Sequence, residues 1–354
     1  MKTTLLERDD VANIVRHVGL NELMDEAIDG IRQVCLDQAK GCAEVPQRSG
    51  FHYETPRLGL LEWMPAMRVG ERIVIKMVGY HPRNPEALSL PTILSSVLVF
   101  DPASGHLDAV IDGNFLTALR TGAASALATR ILMPAGAATL GLIGAGAQAV
   151  TQLHAISRVM PVNTVVLFDV DAATLQSFPA RVAQLGLNEL DLRVGTVAEA
   201  AACDVVCTAT SVDIGQGPVL PADALLPNVH INAVGSDFPG KTELPLSVLE
   251  RAVVCPDFTA QAKKEGECQQ LDDAQIGPDL AAMVCAGDER WRESLTVFDS
   301  TGWALEDYVV AEMFRRHATA IGAGRLVELE SISQDPKDPY GFLGLAQNEL
   351  RVAR

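Results

Sequence analysis

The chain has 354 residues, room for two domains, and its 48% hydrophobic and 21% charged residues are an ordinary balance for a globular enzyme. A formal charge of −17 argues against nucleic acid or an anionic membrane surface as a partner. No uncharged apolar run approaches the roughly 18 residues that span a bilayer, and Glu7, Asp9 and Asp10 stand where a secretion signal needs an apolar core. The seven cysteines are scattered, odd in number and without a C-x-x-C pair, so neither a disulfide framework nor a metal site is expected. A cytoplasmic setting follows.

Apolar residues at helical spacing (Val11, Ile14, Val15 and Val18, then Leu23, Met24, Ala27, Ile28, Ile31 and Val34) predict helix over 9–39. Asp9 or Asp10 can cap it, and Gly19 and Asn21 break it in two. Residues 41–50 read as a polar loop. Strand-like runs follow at 58–64, 72–80 and 92–100, and the last turns through 101–105 into 106–112 as a hairpin. This half is expected to be mainly antiparallel sheet.

An alanine-rich helix is predicted over 115–132. Strands are then predicted at 138–143, 165–168, 191–194, 205–208, 230–234, 252–255 and 296–298, with helical runs between most of them. That alternation means a mostly parallel sheet covered on both faces. A helix over 303–315 leads into a polar segment expected to return to the N-terminal domain. The expected fold class is α/β: a Rossmann-type doubly wound parallel sheet over 121–319, plus an α+β domain with antiparallel sheet over 1–120, joined by the C-terminal segment 320–354.

The most informative stretch is Thr139-Leu-Gly-Leu-Ile-Gly-Ala-Gly-Ala-Gln-Ala149. A buried strand runs into a G-x-G-x-x-A turn and then into an amphipathic helix, the context that gives this motif meaning. Gly144 permits the tight turn, Gly146 lets backbone approach a pyrophosphate, and Ala149 allows close packing of helix on sheet. Asp169 closes the next strand twenty positions after Ala149, near the spacing of about 20 expected for a ribose-binding acid. A carboxylate there accepts from ribose hydroxyls and repels a 2′-phosphate, which favours NAD over NADP.

Other residues resist a purely structural account. Lys76 shares a strand face with Val74 and Val78; it is either an edge-strand lysine in solvent or a buried cation aimed at a substrate carboxylate. Arg120 sits among small and apolar helix residues, either exposed or set to bind an anion in bidentate fashion. Glu62, within an apolar strand, either pairs with Lys76 or accepts from an amine. Asp237 follows the carboxyl end of a predicted parallel strand, where ligands of such sheets bind, and is either a turn former or a proton carrier. Ser211 and Ser300 are strand-end hydroxyls suited to ribose or carboxamide contacts or to turns. Arg48 lies in a polar loop and on spacing alone reads as a solvent arginine. Cations for a carboxylate and acids for an amine, beside a dinucleotide site, point to an amino acid substrate.

Along nearly its whole length the chain resembles the ornithine cyclodeaminase/μ-crystallin family. The carrying segments are Glu62-Trp-Met-Pro65, Lys76-Met-Val-Gly-Tyr80, Leu90-Pro-Thr92, Leu116-Thr-Ala-Leu-Arg-Thr121, Gly141-Leu-Ile-Gly-Ala-Gly-Ala-Gln148, Asn232-Ala-Val-Gly-Ser-Asp237 with Gly240-Lys-Thr-Glu-Leu244, and Asp299-Ser-Thr-Gly302. Within the family, Trp63, the Leu90–Leu94 stretch, Ala209-Thr-Ser-Val212 with Gly215–Val219, and Glu265-Gly-Glu-Cys-Gln-Gln270 look most like lysine cyclodeaminases.

The resemblance implies roles. Arg48, Lys76 and Arg120 match positions that hold the substrate α-carboxylate. Glu62 and Asp237 match acids near the amines, and Asp237, Glu62 and Lys76 are the expected catalytic set. Gly144, Gly146, Ala147, Gln148 and Asp169 match the NAD site, with Thr121, Ser211, Val234, Lys241 and Ser300 as further contacts. It also implies a homodimer joined through the antiparallel sheets. The implied reaction takes hydride from Cα of a basic amino acid to NAD⁺, closes the ring by attack of the side-chain amine, expels ammonia and returns the hydride. Lysine would give pipecolate, and ornithine, the alternative, would give proline. Rival expectations are an NAD(P)H-dependent cyclic imine reductase, an amino acid dehydrogenase, and a non-catalytic ligand-binding protein.

Overall fold

The computed structural model describes residues 1–187, 189–287 and 289–344. Residues 345–354, the end of the expected C-terminal segment, lie outside the described residues.

The N-terminal helical pattern forms α1 (Arg8–Val18) and α2 (Leu20–Ala39), separated at Gly19, whose φ of +105° a side chain rarely adopts. The cap of α1 is Glu7, one step before the expected aspartates, while Asp10 reaches back to the Glu7 N–H in a capping box. Strands β1 (Thr3–Leu6), β2 (Ala43–Glu44), β3 (Ser49–Tyr53), β4 (Gly59–Arg68), β5 (Arg72–Tyr80), β6 (Ile93–Phe100) and β7 (Leu107–Asp112) form one sheet with β15 (Arg325–Val327), and the short helix α3 (Asn84–Leu88) bridges β5 and β6. The order is β15-β1-β7-β6-β5-β4-β2, with β3 also on β4.

Two expectations change here. Part of the polar loop is strand: Ser49 to Tyr53 pairs with Trp63 to Gly59, so its conformation comes from the partner backbone and not from apolar alternation of its own. The sheet is also mixed, because β1 runs parallel to β7 while β15 runs antiparallel to β1.

Next comes α4 (Asn114–Leu132), which crosses the expected boundary at residue 120 without a break. It is buried on almost every side, and its alanines let other elements approach closely. The βα units that follow comprise β8 (Thr139–Ile143), α5 (Ala147–Ser157), β9 (Thr164–Phe168), α6 (Ala172–Val182), β10 (Asp191–Val194), α7 (Val197–Ala201), β11 (Val205–Thr208), β12 (His230–Ala233), α8 (Leu246–Leu249), β13 (Val253–Pro256), α9 (Thr259–Glu265), α10 (Leu280–Ala286) and β14 (Thr296–Asp299). All seven strands are parallel, in the order β10-β9-β8-β11-β12-β14-β13. The order reverses beside β8, so a crevice opens past the carboxyl ends of β8 and β11.

Helix α11 (Ala304–Ile321) outruns its predicted end at residue 315, since Ala318 continues the buried stripe, and Gly322 at φ +66° closes it. Helices α2, α4 and α11 cover the inner face of the first sheet, and Val74, Val97, Val99 and Ile111 of that face pack in one core with Ile28, Leu127 and Phe314. No helix among the described residues is long and apolar enough to cross a membrane.

Candidate active site

The glycine turn has the geometry its sequence requires. Gly144 has φ +95°, and a Cβ there would lie 2.5 Å from the Ala209 carbonyl oxygen. Gly146 faces open space, with nothing within 4 Å of where its Cβ would be. It is the N-cap of α5 and offers no side chain to the first N–H groups, which are left to serve an anion. Asp169 braces the turn: one oxygen accepts from Ala145 N–H at 2.7 Å, the other from Asp171 N–H at 2.9 Å. Each carboxylate oxygen keeps further lone-pair capacity for a ribose hydroxyl. Arg181 donates to the Ala145 carbonyl at 2.7 Å, so Ala145 is held through both its N–H and its carbonyl. Ser300, past β14, has a buried hydroxyl with no hydrogen-bond partner among the described residues. A free helix terminus, an open glycine, a strand-end acid and an unpaired hydroxyl fit a dinucleotide.

The predicted contacts differ in availability. Ala147 and Ser211 are exposed and Val234 is buried. Thr121 spends its hydroxyl on the Thr117 carbonyl at 2.8 Å, and the Gln148 side chain accepts from Thr151 at 3.0 Å. Lys241 points its ammonium at Asp237, 3.0 Å from Oδ1, with the Tyr80 ring 5.6 Å away. Burial works against the Lys241 charge, but Asp237 and Tyr80 outweigh it and raise its pKa.

The second cluster lies on the inner face of the first sheet. Lys76 is 1% exposed, which decides against the solvent reading, and it donates to Asp307 Oδ1 at 2.8 Å. Arg120 is buried too, with Nη1 2.8 Å from Glu306 Oε2 and Nε 3.2 Å from Asp307 Oδ1. Glu62 does not pair with Lys76, one of its two expected options. It lies 3.5 Å from Arg48 Nε and 3.3 Å from His52 Nε2. The Arg48 side chain is 9% exposed, in contact with Glu265, and donates to the Thr301 carbonyl at 3.1 Å, so it is no solvent arginine.

Residues 300–302 join the two clusters. Arg48 bonds Thr301, and a Cβ on Gly302 would sit 2.6 Å from Arg120 Nη1. Asp257 fixes this loop by accepting from Thr301 Oγ1 at 3.0 Å and Gly302 N–H at 2.6 Å. Opposite it, the loop after β12 carries Asp237 toward the sheet; its Phe238 ring lies 5.2 Å from His52 and 6.5 Å from Tyr80. Glu243 holds the base of that loop through Gly235 N–H at 2.8 Å and Thr210 N–H at 2.7 Å. Arg48, Glu62, Lys76, Arg120 and Asp237 thus gather where the carboxyl ends of β12 and β14 meet the antiparallel sheet.

Sequence reasoning gives no site role to Asp257, Glu265, Glu306 or Asp307. The tandem acids at 306–307 carried one usable signal: they interrupt an otherwise apolar helical run, Trp303 to Val310. Arg120 is paired with two buried acids. Burial opposes its charge, and Asp307 and Glu306 more than restore it. Removing one partner of such a buried pair typically costs about 3–5 kcal/mol.

A parallel sheet with a glycine turn at its switch point, facing a buried cluster of cations, is the frame of a dinucleotide-dependent enzyme. The chain belongs to the ornithine cyclodeaminase/mu-crystallin family, whose pattern matches residues 8–321. It is 42% identical over 347 residues to an L-lysine cyclodeaminase of Streptomyces rapamycinicus, covering 97% of this chain and 100% of that protein. Among solved structures, a lysine cyclodeaminase described for its recognition of L-lysine, L-ornithine and L-2,4-diaminobutyric acid superposes with a TM-score of 0.93 at 46% identity, over 97% of this chain and 100% of that one. An archaeal alanine dehydrogenase dimer with bound NAD superposes with a TM-score of 0.84 at 30% identity, over 93% of this chain and 100% of that one.

Proposed function

We propose that this chain is an NAD-dependent cyclodeaminase that converts L-lysine to L-pipecolate and ammonia, removing a hydride from Cα and returning it to the same carbon. The observation that carries the reading is the gathering of Lys76, Arg120, Arg48 and Asp237 at the carboxyl ends of β12 and β14, on the same edge of the parallel sheet as the glycine turn. The similarity to lysine cyclodeaminases supports lysine as substrate. Ornithine is the alternative, and it differs by one methylene, about 0.8 kcal/mol of apolar burial.

Bound NAD supplies the hydride acceptor and donor. Gly144, Gly146, Ala147 and Gln148 would hold its pyrophosphate and Asp169 its adenosine ribose, with Thr121, Ser211, Val234, Lys241 and Ser300 as further contacts. Arg48, Lys76 and Arg120 bind the substrate carboxylate and so fix Cα, an orientation effect worth several kcal/mol. Glu62 faces the amines. Asp237 takes a proton from the side-chain ammonium, freeing its lone pair to attack Cα, and then protonates the departing α-amino nitrogen. Lys241 holds the Asp237 carboxylate in place during both transfers.

The proposed assembly is a homodimer. The outer face of the antiparallel sheet carries a row of paired residues, Phe51, Leu61, Gly79 and Leu94, flanked by Trp63, Met77, Pro65, Ile75 and Leu98. Phe51 is 65% exposed, Leu61 39% and Leu94 38%, an apolar surface that a second copy would cover. The proposed location is the cytoplasm, which suits seven free thiols.

The test is incubation with L-lysine and NAD⁺ in catalytic amount, followed by mass detection of product. Pipecolate and ammonia in excess of the NAD present, without accumulating NADH, support the reading. Product capped at the cofactor supply would make the chain a dehydrogenase or reductase, and binding without product would make it a ligand-binding protein.

A further inference from the structure

Lys76 and Arg120 come from different elements, β5 and α4, yet they share a single oxygen atom. Asp307 Oδ1, in the first turn of α11, lies 2.8 Å from Lys76 Nζ and 3.2 Å from Arg120 Nε. Lys76, Arg120, Glu306 and Asp307 are all buried, and Asp307 Oδ2 has no hydrogen-bond partner among the described residues. The proposed reaction gives neither acid a step. Two cations this close repel one another unless an anion stands between them.

We propose that Asp307 is a positioning residue: one of its oxygens sets the spacing of Lys76 and Arg120, and its charge keeps Lys76 an ammonium ion ready for the substrate carboxylate. The proposal rests on the reading of these two cations as carboxylate ligands.

The electrostatics agree with the geometry. Burial and the Arg120 charge push Lys76 down to about 8, and Asp307 acts against both. Arg48, ahead of β3, pushes in the same direction as Arg120. From β4, Glu62 is occupied with Arg48, and β6 carries no ionisable residue. Glu306, beside Asp307 on α11, is pushed up to about 8 by burial, with Arg120 opposing and Asp257 and Asp307 assisting. Lys76 is an ammonium ion below about pH 8 and loses its charge as pH rises through that value. Removing the Asp307 charge removes an influence that raises the Lys76 pKa, so the loss moves to lower pH.

The chain contains seven lysines, few enough to follow individually. The test is a pH titration of the full chain carrying ¹³C at the lysine ε-carbons, with the Lys76 signal assigned from Lys76→Arg. The expected Lys76 midpoint is near 8 in the parent and lower by about 1 pH unit or more in Asp307→Asn. Coincident midpoints overturn the proposal. A side chain that merely packed there would change the melting temperature and leave the midpoint alone. Asp307→Ser, which leaves room for water in place of the carboxylate, makes the same comparison if the Asn variant does not fold. The readout needs no turnover: failure to form pipecolate would remove the proposed reaction and leave the midpoints to decide this inference.

Discussion

At the scale of single residues the proposed chemistry rests on Asp237. Lys241 lies 3.0 Å from one of its oxygens, and the aromatic groups of His52, Tyr80 and Phe238 crowd the loop that bears it. Asp237→Asn preserves the shape and removes the proton carrier. The expected result is NAD binding within about twofold of the parent by calorimetry and a fall in turnover of about 10²–10⁴. Parental turnover in the purified variant would take the proton-transfer role away from Asp237. At this scale the sequence is uneven. Lys76 stands out because alternation places it between two core valines, where an unpaired charge is costly. Its partner Asp307 interrupts an apolar helical run, but two adjacent acids on a helix equally describe a solvated face. The contact that buries them joins residues 231 positions apart. Arg48 hides for the same reason: only the fold brings Glu62, Glu265 and the Thr301 carbonyl around it.

Among the elements, the β8–turn–α5 unit couples fold to function. Gly144→Ala must force a Cβ toward the Ala209 carbonyl from a backbone conformation that alanine avoids. The expected cost is about 1–3 kcal/mol of stability, read as a lower melting temperature, together with weaker NAD binding. An alanine variant with parental affinity and melting temperature would contradict the role given to the turn. Most of the parallel strands are legible in the sequence because they are buried and read as short, largely apolar runs; the edge strand β10, Asp191-Leu-Arg-Val194, is the exception and is mostly exposed. The short strands β1, β2, β3 and β15 are not legible, because neighbouring backbone sets their pairing and they have little pattern of their own. Helix α11 runs past residue 315 because Arg315, Arg316 and His317 pair with Glu312 and Glu26 while Ala318 stays buried, and Gly322 ends it.

For the molecule as a whole, the proposed division of work gives the parallel sheet the dinucleotide turn, and gives the first sheet Lys76 on its inner face and an apolar outer face for a second copy. Leu61 and Leu94 stand in one cross-strand row through Gly79 on that face. Replacing both with glutamate places four like charges in a two-fold interface. Light scattering should then report a monomer where the parent gives a dimer. A monomeric parent would remove the proposed assembly. The central claim is that one hydride leaves Cα and comes back to it. L-Lysine carrying deuterium at Cα, incubated with unlabelled NAD⁺ in catalytic amount, tests this directly. The account predicts pipecolate that keeps its deuterium at the same carbon through many turnovers, with no NADH accumulating. Pipecolate carrying hydrogen at that carbon, or deuterium gathering in free NADH, would contradict it.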